Sequence, residues 1–203
     1  MLDRQYPATP SALSGHWRYP CFNENWKRSK SYEREDRPIV YINESGFATD
    51  MPRLHGYAPK GQRCIGKRDW HAKGRINAIG ALLAGTLLTV GLTTTNVDAD
   101  MFNLWLQYDL IPKLPHGSVL VMDNAAFHKR QDTQAVIKAA GHTLEYLPPY
   151  SPDLNPIEHK WAQAKAIRRK TGKSTQKIFE SQLNCYIVTF TRDQYSRGTG
   201  FWQ

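Results

Sequence analysis

The sequence predicts an α/β fold, a mixed β-sheet flanked by helices, and three observations point to it. Two apolar strands meet at a tight turn in RINAIGALLAGTLLTVGLTT, residues 75–94. Two further apolar runs, IVYINESGF (39–47) and VLVMDNAAFH (119–128), each end in polar side chains. Beyond residue 95, strand-like and helix-like segments alternate. Hairpin strands followed by such alternation give a mixed sheet with helices packed on it.

In chain order, residues 1–37 are polar, proline-spotted and charged in both signs, which predicts an N-terminal arm or linker with at most short structure. A first strand is expected from Pro38 to Asn43, followed by the glycine- and proline-punctuated cationic loop HGYAPKGQRC. The hairpin turn is expected at Ala84-Gly85. Apolar residues at 101, 104, 105 and 108 have helical spacing, with Asp98 as the N-cap. Val119 to Met122 form a continuous apolar run, as in a strand buried on both faces. RQDTQAVIKAAG reads as a helix stopped by Gly141, and TLEYL as a short strand. After four prolines at 148, 149, 152 and 156, a helix is expected from about Pro156 to Lys170. Residues 174–203 are expected to be a C-terminal tail, and there is no internal repeat.

With 203 residues, the chain is long enough to bury a substantial core as one domain. No apolar run approaches the roughly 20 residues of a membrane span, and the N-terminus lacks the apolar core of a signal peptide. Cys21, Cys64 and Cys185 fit no metal-ligand spacing and read as free thiols of a reducing cytoplasm. The net charge of +9 favours an acidic partner, of which nucleic acid is the commonest.

Three positions carry the candidate chemistry. Asp123 lies where a buried strand emerges, the place where ligands gather in open α/β sheets. Glu158 stands on the first turn of the last long helix, three residues after Asn155, so a capping box alone would also explain it. Residue 43 sits at the end of the first strand, in a position built for an acid, yet it is an amide, Asn43. Carboxylates converging from two strand ends and a helix start would hold hard cations such as Mg²⁺ or Mn²⁺. Two such ions about 3.5–4 Å apart activate a water or a 3′-hydroxyl and stabilise a leaving oxygen in phosphodiester chemistry.

The stretches YINESGF, GYAPKGQR, VLVMDNAAFHK and LPPYSPDLNPIEHKW resemble the catalytic domain of a DDE transposase of the bacterial insertion-sequence branch of the mariner superfamily, over residues 38–173. The 34 residues between Asp123 and Glu158 (124 to 157) match the spacing of that superfamily. The resemblance implies an RNase H-like fold, two Mg²⁺ or Mn²⁺ ions, and cleavage and transfer of double-stranded DNA at transposon ends, in a nucleoid-associated, cytoplasmic bacterial protein for which a homodimer is one expected assembly. By position, Asp123 and Glu158 would be the second and third catalytic, metal-binding acids, and Asn43 would stand where the family has its first. Asn124 and His128 flank Asp123, with His128 open to a phosphate contact or a structural role. Glu44 is expected to face the other side of the sheet and not to replace a missing acid at 43.

Lys60, Arg63, Lys129, Arg130, Lys160, Lys165, Arg168 and Arg169 surround these motifs and are the expected contacts to the DNA backbone. The residues ahead of Asn43 lack a convincing pair of helix-turn-helix units, so end-specific recognition is expected to be weak. The competing readings are a non-cleaving DNA-binding remnant and a host nuclease of the same fold.

Overall fold

The structure is a computed structural model that describes residues 28, 30–50, 57–64, 74–148 and 151–190. Six strands form one sheet: β1 (Ile39–Ala48), β2 (Arg75–Leu83), β3 (Thr86–Thr93), β4 (Val119–Met122), β5 (Thr143–Tyr146) and β6 (Ile187–Phe190). Their spatial order is β5-β4-β1-β2-β3-β6. β1, β2 and β3 form an antiparallel meander, while β4 and β5 add parallel to one edge and β6 parallel to the other. The mixed sheet follows from the chain order. The short turn after β2 permits only antiparallel pairing, and the helical crossovers after β4 return each strand parallel.

The β2–β3 turn is where the sequence places it. Ala84 and Gly85 both take positive φ, 48° and 79°, the geometry of a two-residue hairpin whose twist matches the strands. α1 (Ala99–Trp105) is capped by Asp98, which accepts a hydrogen bond from the Met101 N–H at 2.9 Å. It then widens into a π-helical turn, Leu106–Leu110. α2 (Gln131–Ala139) ends before Gly141, φ 78°. α3 (Ile157–Thr171) stops at the left-handed Gly172, and α4 (Thr175–Ser181) follows.

Two apolar layers hold the helices to the sheet. On one face Val40, Ile42, Ile79, Leu120 and Met122 pack against Phe102, Trp105 and Leu106 from the α1 segment and Ile137 of α2. On the other, Phe47, Ala78, Leu82 and Val90 meet Ile157, Trp161 and Ala164 of α3 and Ile178 and Phe179 of α4. Each fully buried apolar side chain of this size stabilises the fold by about 1.5–3 kcal/mol. Ile157, Trp161 and Ala164 recur at helical spacing, so α3 lies on the sheet along one stripe. Phe47, Trp161 and Phe179 meet edge to face, with centroids 5.7–6.4 Å apart. Trp161 is thus a packing residue and presents no surface for base stacking.

Three elements differ from the sequence reading. β1 runs five residues beyond Asn43, because Glu44 to Ala48 continue the ladder opposite Arg75 to Ile79. Residues 174–190, expected to be tail, supply α4 and β6, whose Ile178, Phe179, Val188 and Phe190 are buried in the core. The end of the arm is docked: Arg28 and Tyr32 bond the Glu145 carboxylate, and Arg37 donates to the Gly117 carbonyl and the Thr143 hydroxyl. Residues 1–27, the cations Lys67 and Arg68, the aromatic pair Trp70 and His71, and the SRGTGFWQ tail lie outside the described residues. Among the described thiols, Cys64 is exposed and Cys185 buried, and both are free. No helix among the described residues is long and apolar enough to cross a membrane.

Candidate active site

The site forms at the carboxyl end of β4, beside the middle of β1 and the first turn of α3. β1 and β4 pair in parallel through Ile39–Val119, Val40–Leu120 and Tyr41–Val121. Continuing that register by two residues sets Asn43 level with Asp123 on the neighbouring strand. Tyr41 and Val121, two residues back, belong to the apolar layer shared with Leu154, just ahead of α3. Asp123 follows the last residue of β4, and strand alternation puts positions 43 and 123 in the same phase as Tyr41 and Val121.

Glu158 arrives from the opposite direction. Asn155, 3% exposed, donates through Nδ2 to the Ile42 carbonyl and accepts from the Ile157 N–H, so one side chain ties the start of α3 to β1. Gly80, paired with Asn43 across the ladder, leaves the space that the Trp161 ring fills. With the helix seated there, Asn43 Nδ2 donates to Glu158 Oε1 at 2.7 Å. A capping box does not account for Glu158, since its carboxylate reaches across to β1.

Asp123 is held by its own strand end. Its Oδ1 accepts from the Ala125 N–H at 3.1 Å and lies 2.8 Å from Nδ1 of His128. His128 is fully buried, packs on Phe102, and places its other nitrogen, Nε2, 2.9 Å from Glu44 Oε1. Burial disfavours a charged imidazole, but the hydrogen bonds to Asp123 and Glu44 outweigh it and raise the His128 pKa to about 9. In return, the bond from His128 chiefly lowers the Asp123 pKa, opposed by burial and helped by the Ala125 N–H. Glu44 does face away from Asn43, yet it reaches the site through His128. Strand parity identified the face but gave no sign of that bridge.

The donor set consists of two carboxylates, Asp123 and Glu158, and the amide of Asn43. Among the described residues no three His, Cys, Asp or Glu side chains form a metal-holding group. The donor types are those a hard divalent cation takes: Asp123 has Oδ1 engaged by His128 and Ala125, Glu158 has Oε1 engaged by Asn43, and the Asn43 side chain adds a neutral oxygen. At position 43, where the sequence reading expects an acid, the side chain is an amide that donates to Glu158.

The expected cations divide into two groups. Lys60, Arg63 and Lys129 are exposed, and Lys160, Lys165 and Arg169 are half-buried along α3. Burial and the neighbouring Arg75 and Arg169 lower the Lys165 pKa, against the pull of Glu158. Arg130 is engaged by Asp100 and Asp132, and Arg168 donates to the Ala48 and Thr49 carbonyls. Those two guanidiniums are already committed within the chain.

The profile of the DDE superfamily endonuclease family matches residues 38–179, a segment that contains every element from β1 to the middle of α4. The chain belongs to that family. No curated protein matches it. Among solved structures, this DDE-family chain is similar to the Mos1 transposase paired-end complex with left transposon end, at TM-score 0.67 and 18% identity, covering 98% of this chain and 62% of that one. It is also similar to the Mos1 mariner paired-end complex with Mn, at TM-score 0.63 and 19% identity, covering 97% and 62%. The catalytic domain of Mos1 mariner transposase alone aligns at TM-score 0.54 and 15% identity, covering 88% and 84%. The fold is therefore the RNase H-like fold of the DDE transposases. The chain spans about three-fifths of the Mos1 chains in the paired-end complexes.

Proposed function

We propose that this DDE-family chain is the catalytic domain of a transposase that cleaves and joins double-stranded DNA at insertion-sequence ends in a bacterial host, and that Asn43 impairs it. The observation that supports this reading is the Asn43–Glu158 hydrogen bond, made across 115 positions of sequence, on the strand next to the one that Asp123 follows. Asn43, Asp123 and Glu158 are the catalytic and metal-binding positions. Mg²⁺ or Mn²⁺ bound there would supply Lewis-acid activation of the attacking oxygen and stabilisation of the leaving one. The family chemistry uses two ions, and the donor set here suits one.

The chain's own residues shape the rest. Glu158 keeps one oxygen occupied by the Asn43 amide, and Asp123 keeps Oδ1 occupied by His128 and Ala125. Lys60, Arg63, Lys129, Lys160, Lys165 and Arg169 contact the DNA phosphates, in a nucleoid-associated protein that forms a homodimer on paired ends. A second reading, a DNA-binding remnant that no longer cleaves, is favoured by one observation: the amide at 43 hydrogen-bonds an acid where the chemistry calls for another acid.

The two readings separate in an assay of Mg²⁺- or Mn²⁺-dependent nicking by the chain and its Asn43→Asp variant, with Asp123→Ala as control. Restoring the carboxylate is expected to raise the rate roughly 10²–10⁴-fold. Robust cleavage by the unaltered chain, lost on Asp123→Ala, would show that an acid at 43 is dispensable. Cleavage by neither form favours the remnant.

A further inference from the structure

We propose that Glu44 and His128 form a positioning pair that pins the Asp123 carboxylate in one rotamer, with Oδ1 held inside the protein and Oδ2 alone presented to a cation. The inference rests on the reading of Asp123 as a cation ligand. The observations are geometric. His128 is fully buried and sits between two carboxylates, 2.8 Å from one and 2.9 Å from the other. Phe102 packs on the imidazole with a centroid separation of 4.7 Å, and the Tyr146 hydroxyl donates to the His128 carbonyl at 2.8 Å, fixing ring and backbone together. Glu44 is anchored in the β1 ladder opposite Ile79, so the far end of the bridge is rigid.

The pair acts through Asp123 and touches no substrate. Asp123 itself is half exposed and extends past the last paired residue of β4, a place where a carboxylate would otherwise sample several rotamers. Ordering it before the cation arrives removes that entropy from the binding step. Partners of this kind behind metal ligands are worth 10–100-fold in affinity. The bridge also gives Glu44 a role that does not depend on facing the site.

The test is Mn²⁺ binding by the full chain and by its Asn43→Asp variant, followed by electron paramagnetic resonance, with the χ1 couplings of Asp123 read by NMR without metal. Glu44→Ala should weaken Mn²⁺ 10–100-fold and set Asp123 averaging between rotamers. Glu44→Asp keeps the charge but falls one methylene short, and should behave like Glu44→Ala. Glu44→Gln keeps an acceptor at the same reach and should bind within a few-fold of the parent. Thr133→Val removes the buried bond to Asn103 at the α2–α1 contact, so it controls for general loss of stability and should leave Mn²⁺ affinity unchanged.

Glu44→Asp or Glu44→Ala binding Mn²⁺ like the parent, with Asp123 in a single rotamer, would overturn the pair. If Asp123→Asn leaves Mn²⁺ affinity untouched, the cation reading itself fails, a different result from failure of the pair. Should Glu44→Ala not fold, the contrast between Glu44→Asp and Glu44→Gln decides.

Discussion

At residue 43 a single atom pair distinguishes an amide that donates to Glu158 from an acid that would repel it. Asn43→Asp places two carboxylates within hydrogen-bonding distance, a like-charge arrangement that raises one pKa or requires a cation between them. The variant should therefore melt lower than the parent in the presence of a chelator and recover as Mg²⁺ is added, because a ligand of the folded state alone stabilises by mass action. Equal melting temperatures with and without Mg²⁺ would argue against a cation at this edge. His128 makes a second prediction at the same scale. Its pKa of about 9 in the folded chain lies above the ordinary 6.5, so its contribution to stability is complete below pH 6.5 and is lost as pH rises through 9. The loss should be on the order of 3 kcal/mol. Urea midpoints at pH 6 and 9.5 should fall more steeply for the parent than for His128→Asn, and matching slopes would refute the bridge. The sequence singled out Asp123, Glu158 and the amide at 43 as candidates, Asp123 because it follows the apolar run of β4 and Glu158 because it stands on the first turn of α3; Asn43 proves to lie mid-strand in β1. It left the role of His128 open and gave Glu44 none, because a bridge between residues 84 positions apart leaves no periodic trace.

At the scale of elements, α3 is the part that brings Glu158 to the sheet. It seats because Gly80 has no side chain: a Cβ there would meet the Trp161 ring at 2.5 Å, and Trp161 is wedged between Phe47 and Phe179. Gly80→Ala should therefore destabilise the fold by about 1–3 kcal/mol through overpacking. It should also lift the start of α3 and lengthen the Asn43–Glu158 bond. A differential test is the NMR signal of the Asn43 side-chain amide, which should move in Gly80→Ala and stay in place in Gly85→Ala, where the turn is far from the helix. An unmoved amide signal with α3 still folded would show that Gly80 does not position Glu158. The hairpin, α1 and α2 were legible because their signals are local: Ala84-Gly85, the Asp98 cap and Gly141. β6 was not, because IVTF is short and becomes a strand only against β3. The far half of β1 was missed because ESGFA looks like a loop until β2 supplies its ladder partners.

At the scale of the whole molecule, some cations among the described residues are exposed and others are held by partners within the chain, and this yields a prediction that total charge alone would not. Each phosphate neutralised by a Lys or Arg releases counterions, so the logarithm of affinity for duplex DNA falls with the logarithm of salt concentration, by about 0.9 per contact. A cation already bound within the chain releases none. Lys129 is exposed immediately beyond the Asp123 strand, and Lys160 lies one half-turn from Glu158, whereas Arg130 is engaged by Asp100 and Asp132 and Arg168 caps the β1 end at Ala48 and Thr49. Replacing Lys129 or Lys160 by Gln should reduce the salt slope by about 1 each, with similar losses on unrelated duplex sequences. Arg130→Gln and Arg168→Gln should leave the slope nearly unchanged. Arg168→Gln should instead lower stability, since it frees two carbonyls at the strand end. Titrating labelled duplexes of two sequences at several salt concentrations checks all four variants together. If the arginine variants flatten the slope as much as the lysine variants do, the Arg130 ion pairs and the Arg168 carbonyl bonds open on DNA, and the binding face extends across α2 and the β1 end. If none of the four does, the phosphate contacts lie elsewhere, and the exposed loop carrying Lys60 and Arg63 becomes the next place to substitute.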